Sequence, residues 1–297
     1  MRGGILLILV LSGPWLRAQE PVVAGDKLLI RASAGYERQD FHWSIAGNSA
    51  GRDPNVYSEL AWHAVGGASG RVDLQWRVWR RWRIFASGSR VSNRSGRLSD
   101  TDYGLDNRND VLYHEQFAAG GGYSEAGSVG AGYCLLDRAG FRLVPYVGFG
   151  ISKQYFPIVD PGGPFAGLSS NYSAKWLGPL VKVEAGWRPV KRWWVAADLV
   201  YDQVVYRAVA DWNLITDFSH PVSFRHRADG YGVEGELRVG YSLGKGLALV
   251  LTGDYFDWET GRGIDVLYLN TGVAQQTQLN GVVRDGIGLR LGAGWSF

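Results

Sequence analysis

Cysteine is almost missing from this sequence: Cys134 is the only one in 297 residues. A disulfide framework within the chain is therefore excluded, and so is a metal site built from several cysteines. Charge of one sign is missing too. The 31 Lys and Arg against 28 Asp and Glu leave a net +3, too little to argue for a nucleic-acid partner. No apolar run approaches the roughly 20 residues of a spanning helix, and no helix of note is legible. The five histidines form no His-Glu-x-x-His or related ligand spacing, so neither a metal nor a cofactor is expected. Gly130-x-Gly132 and Gly292-x-Gly294 are strand glycines rather than phosphate cradles, because no helix follows either.

What remains is a composition of 42 Gly, 13 Trp and 15 Tyr with only 20% charged residues. That mixture suits a membrane β-barrel with aromatic girdles better than a soluble two-domain enzyme. Residues 1–18 read as a secretory signal: Arg2, an apolar run from Ile5 to Leu11, and a small residue at Leu16-Arg17-Ala18. Residues 19–297 are then expected to form one domain. With no spanning helix, a membrane location requires strands.

The last stretch shows the pattern most clearly. Ile287, Leu289, Leu291, Ala293, Trp295 and Phe297 fall on one face at period two, opposite Gly288, Arg290, Gly292, Gly294 and Ser296. An aromatic at the terminus, with Trp295 two residues before it, fits a membrane–water boundary. The edge strand of a soluble sandwich is the competing reading of this stretch. Such a strand also resembles the final strand of bacterial outer-membrane barrels.

The same alternation recurs along the chain. It runs from Lys27 to Glu37 and over 56–78, where Gly66-Gly67-Ala68-Ser69-Gly70 is expected to bend the strand. It returns over 83–92, 111–135, 141–156, 175–188, 193–212, 231–241 and 247–258, and from about 281. Residues 93–110, 213–223 and the Gly/Asn/Gln stretch between 258 and about 281 read as loops. Arg71, Asp73, Gln75 and Arg77 alternate with Val72, Leu74, Trp76 and Val78, and four polar residues on one face call for a wet interior or mutual pairing. Short turns alternate with long loops. The expectation is all-β: a closed antiparallel transmembrane barrel of about ten strands.

Asp100-Thr101-Asp102-Tyr103 places two carboxylates on one side of an extended chain. Crowded like charges push one pKa up, which suits activation of a water. A solvated Asp-rich turn is the plainer reading of the same residues.

The segment from Gly88-Ser89-Arg90 to Ser99-Asp100-Thr101-Asp102-Tyr103 resembles the omptins, outer-membrane endopeptidases with ten strands. Ser58-Glu59-Leu60-Ala61-Trp62, Gly240-Tyr241, Gly253 and the aromatic terminus extend the likeness over the mature chain. The resemblance implies that Asp100 and Asp102 hold a water, and that an Asp-x-His at the end of the seventh strand takes its proton. Asp211 matches that Asp, but Asn213 stands where the family has His. An amide has no titratable base. His220, three residues after Asp217, is the nearest replacement. The family's acid in the first strand aligns with Gln39, with Glu37 and Asp40 beside it; Gln39 and Asp40 are the candidate substrate-binding positions. The resemblance further implies a bacterial outer-membrane location, contact with lipopolysaccharide, which omptin activity can require, and a peptide or protein substrate. A surface barrel for binding or adhesion, and a small porin, stay open beside the endopeptidase.

Overall fold

The computed structural model describes residues 27–297; the expected signal at 1–18 lies outside them. Every regular element among the described residues is a strand. In chain order they are β1 (Leu28–Ile45), β2 (Ser58–Trp79), β3 (Trp82–Leu105), β4 (Asn109–Ala118), β5 (Tyr123–Tyr133), β6 (Leu136–Arg138), β7 (Phe141–Val159), β8 (Ser169–Trp187), β9 (Trp193–Asp211), β10 (Phe224–Gly244), β11 (Leu247–Thr260), β12 (Gly263–Tyr268) and β13 (Ala274–Ser296). All pairings are antiparallel. The ring closes where β1 meets β13, from Leu29 opposite Ser296 to Ile45 opposite Leu279. A closed ring leaves no unpaired edge in the hydrocarbon.

The ring has about ten staves. Two of them are each made of two strands. β3 pairs with β5 in its first half and with β4 in its second. β10 likewise pairs with β12 over Phe224–Arg227 and with β11 from Gly230 onward. Two segments read as loops are therefore strand. Residues 93–105 continue β3, because β2 pairs them as far as Asp102 and β4 folds back to pair Arg97–Leu105 on the other side. Residues 263–268 form β12, which pairs with β13 from Ala274.

Facing follows the expected alternation near the tight turns. Ile287, Leu289, Leu291, Trp295 and Phe297 point outward, Leu291 at 63% exposure, as do Val72, Leu74 and Trp76. On β9 the lipid face runs from Trp193 through Leu199 to Tyr201; on β10 it runs from Tyr241 to Tyr231. Each of those spans is close to the roughly 9–11 residues a tilted strand needs to cross a bilayer. Exposed Trp79, Trp82, Trp187, Trp193 and Trp295 gird the tight-turn end, and Tyr36, Tyr201, Tyr231 and Tyr255 gird the other.

The interior differs from a uniformly wet lumen. In the membrane half it is charged and cross-linked: Arg238 reaches Asp198 (2.6 Å), Glu236 (2.7 Å) and Glu184 (3.2 Å), and Arg290 reaches Asp254 (2.5 Å). Beyond the tyrosine girdle it turns apolar. Phe41, Trp43, Leu60, Trp62, Phe156, Tyr172, Trp176, Tyr206 and Trp258 form one buried cluster. The cause is a change of solvent along each strand. Where lipid lies outside, polar side chains must turn inward. Where water lies outside, the apolar ones do.

Candidate functional site

On β2 and β3 this change coincides with a bulge. Ala64 has φ 55° and Gly96 φ 126°, and the β2–β3 register shifts between His63 and Gly67. A side chain at Gly67 would place its Cβ 1.8 Å from the Ser92 carbonyl oxygen, so the close approach of the two strands requires glycine. Asp40 accepts a hydrogen bond from the Ala64 backbone N–H (2.6 Å) and buttresses the bulge. An inserted residue turns every later side chain to the opposite face. On β3, Arg90 faces out in the membrane half. Asp100 and Asp102 share its parity, yet face in beyond the bulge.

There they line a cleft of about 460 Å³ at the outer mouth. Trp43, Leu60, Ile158 and Phe224 form its floor. Tyr113 and Phe117 stand on the Asp100 side. Phe165, Leu168, Ser170, Trp212, Phe218, Asp265 and Leu267 contribute from β12 and from the chain around the ends of β7, β8 and β9. Asp100 pairs across the ladder with Leu60, and Asp102 with Ser58. Burial pushes the Asp100 carboxyl up to about 7, and the nearby Asp102 adds to this. Asp102 is raised by burial and held back by a hydrogen bond from Ser58. Burial, then the neighbouring Asp100, Glu115 and Asp102 charges, raise the Tyr113 phenol to about 12.

The other candidates lie elsewhere. Asp211 and His220 do meet, with Nδ1 to Oδ1 at 2.6 Å. His220 Nε2 lies 3.3 Å from the Ile215 carbonyl oxygen, so both ring nitrogens face acceptors. The partner of His220 is Asp211 rather than Asp217, and neither member of the pair lines the cleft. Asn213 is a loop latch. Its Oδ1 accepts from the Ser169 N–H (2.8 Å) and the Ser170 hydroxyl (3.0 Å), and its Nδ2 donates to the Gly167 carbonyl (2.9 Å). Gln39 is buried in the interior, where Nε2 donates to Ser124 (2.6 Å) and Oε1 accepts from Arg284 (2.7 Å). Asp40 faces out, on the bulge.

Sequence reasoning missed His226 and Asp265. They sit opposite each other on β10 and β12. His226 Nδ1 meets the Tyr172 hydroxyl at 2.8 Å, and that hydroxyl meets Tyr206 at 2.6 Å. Reading 263–268 as loop hid the pairing, since no local signal joins the two residues.

The family model of Protochlamydia outer membrane proteins, Pom, matches residues 31–297. The chain belongs to the Pom family. No curated protein matches it by sequence. In structure this Pom-family barrel is similar to the outer membrane protease OmpT from Escherichia coli. The TM-score is 0.73 at 15% identity, covering 93% of this chain and 98% of that one. The translocator domain of the autotransporter NalP from Neisseria meningitidis gives 0.39 at 13% identity (92% and 89% covered). OprG from Pseudomonas aeruginosa gives 0.35 at 12% (92% and 97%). The OmpT likeness establishes the fold alone. Family and fold together place the Pom-family barrel in the bacterial outer membrane.

Proposed function

We propose that this barrel is a surface binding protein that holds an extracellular ligand in its outer cleft and lacks omptin-type turnover. The observation that carries the reading is the state of Asn213. Its amide oxygen and nitrogen are committed to the 167–170 segment, and an amide accepts no proton near neutral pH. Loss of a general base typically costs about 10²–10⁴ in rate. The Asp211–His220 pair, off the cleft lining, offers no substitute beside Asp100 and Asp102. The apolar floor supplies the driving force for binding.

A peptidase assay with peptides bearing paired basic residues, run in lipopolysaccharide, tests this reading. The expected result is no cleavage above that of an Asp102→Ala variant. Cleavage that Asp102→Ala abolishes would sink it and favour the endopeptidase reading. One observation does speak for that second reading: of two carboxyls on one face, Asp100, raised to about 7, titrates near neutral pH, an arrangement that can activate water. A peptide or protein segment is its proposed substrate.

The cross-linked, aromatic-filled interior argues against the porin reading. Lipopolysaccharide is the proposed lipid partner. Exposed Arg90 and Lys153 on the outer wall, near Tyr123 and Tyr155, would meet its phosphates.

A further inference from the structure

We propose that the outer cleft takes a small organic monocation with an apolar body, its charge seated among Asp100, Asp102 and Asp265. The proposal rests on the binding reading above and names the ligand's chemical class.

The residues lining the cleft include three carboxylates and no Lys, Arg or His. An anion would meet repulsion from every charged wall. A neutral apolar body would match the floor but leave the carboxylates unmet. Asp265 makes that mismatch concrete. Its side chain is 4% exposed, and it lines the cleft. Oδ2 accepts from the Thr277 hydroxyl at 3.0 Å. Oδ1 accepts no hydrogen bond; His226 Nε2 stands 3.2 Å away and forms an ion pair with it only when that imidazole is protonated. Beside a neutral imidazole, a buried carboxylate oxygen with no hydrogen bond is costly, and a cation in the cleft would offset the cost.

The walls discriminate between kinds of cation. Among the described residues no group of three or more His, Cys, Asp or Glu side chains could hold a metal ion. The apolar floor could not replace the water that a small hard ion sheds. Trp43, Trp212 and Phe224 line the cleft instead, and aromatic rings attract weakly hydrated organic cations. A volume of about 460 Å³ lies within the range of roughly 300–1,000 Å³ typical of small-molecule sites.

Tetraphenylphosphonium and tetraphenylborate have one shape and opposite charge, which isolates the claim. Each is titrated calorimetrically at pH 8 into the barrel in lipid nanodiscs. A Ser58→Trp variant, which fills the cleft from its rim, gives the background. Heat-modifiable gel migration shows that each variant is folded. The phosphonium is expected to saturate one site, and the borate to stay at background. Asp100→Asn with Asp102→Asn is expected to weaken phosphonium binding at least tenfold, and Asp265→Asn to weaken it as well. Equal binding of both ions, or affinity unchanged in all the Asn variants, overturns the cation assignment and leaves the binding reading standing. Absence of saturable binding by either ion overturns both.

Discussion

At the scale of single residues, Asp100 carries the sharpest pH signature. Burial and then Asp102 raise its carboxyl to about 7, against roughly 4 in an unfolded chain. Its contribution to stability is full below about 4 and is lost as pH rises through about 7, because above that value the folded state must hold the charge it disfavours. The groups facing it are Asp102 on its own strand, Tyr113 and Glu115 on β4, and Asp265 across the cleft. Denaturant unfolding at pH 5 and pH 8.5 should show stability falling with pH in the parent, with a smaller fall in Asp100→Asn. The same titration should strengthen phosphonium binding between those pH values. Asn213 behaves differently, as a neutral latch. Asn213→Ala frees the Ser169 N–H and the Gly167 carbonyl, and hydrogen bonds of this kind contribute about 0.5–1.5 kcal/mol each. Proteolysis of the 160–168 loop should accelerate in that variant while the ring stays intact.

The bulge acts at the scale of the element. It turns Asp100 and Asp102 from the outer face to the inner, and it needs Gly67 where the backbones close up and Gly96 at φ 126°. Gly96→Val puts a β-branched residue in that conformation and brings its Cβ to 2.8 Å from the Val65 Cα. Strain of roughly 1–3 kcal/mol is expected. Phosphonium binding should drop while heat-modifiable migration persists, because the membrane half of each stave lies below the change. Part of this device was legible. The 66–70 glycine patch announced a bend in β2. The matching distortion in β3 did not show, because Ser95-Gly96 looks like an ordinary loop dipeptide and its role depends on β4 folding back to pair beside it.

The whole molecule is two solvents' worth of barrel. Its lipid half has a charged interior, and its water half an aromatic one. Arg238 cross-links three staves' carboxylates through Asp198, Glu184 and Glu236. Removing one partner of such a buried network costs about 3–5 kcal/mol. Arg238→Met should therefore unfold at markedly lower urea than the parent in lipid vesicles. Because Phe41, Trp62, Phe156 and Tyr172 meet across the interior from four different strands, planar bilayers holding the parent should show conductance near baseline. Steady open-channel currents would contradict a filled interior.

The reversal between the two halves was written in the sequence. On β9 the apolar positions change from odd (Val195, Leu199, Tyr201) to even (Val204, Tyr206, Ala208). On β1 they change from even (Ile30, Tyr36) to odd (Phe41, Trp43). Alternation over short windows sees each half and not the switch. On β2 the bulge and the solvent change cancel, so the pattern runs through unbroken from Leu60 to Trp76.

Alternation, the aromatic girdles and the spacing of turns were enough by themselves to determine a closed antiparallel barrel, because lipid admits no unpaired backbone and period two leaves one face for it. Which carboxylates share a cleft was decided only in three dimensions. Asp265 lies far along the chain from Asp100 and Asp102. It reaches the same mouth through the ring's closure, the bulge turns the Asp100–Asp102 pair inward to meet it, and no local pattern encodes either.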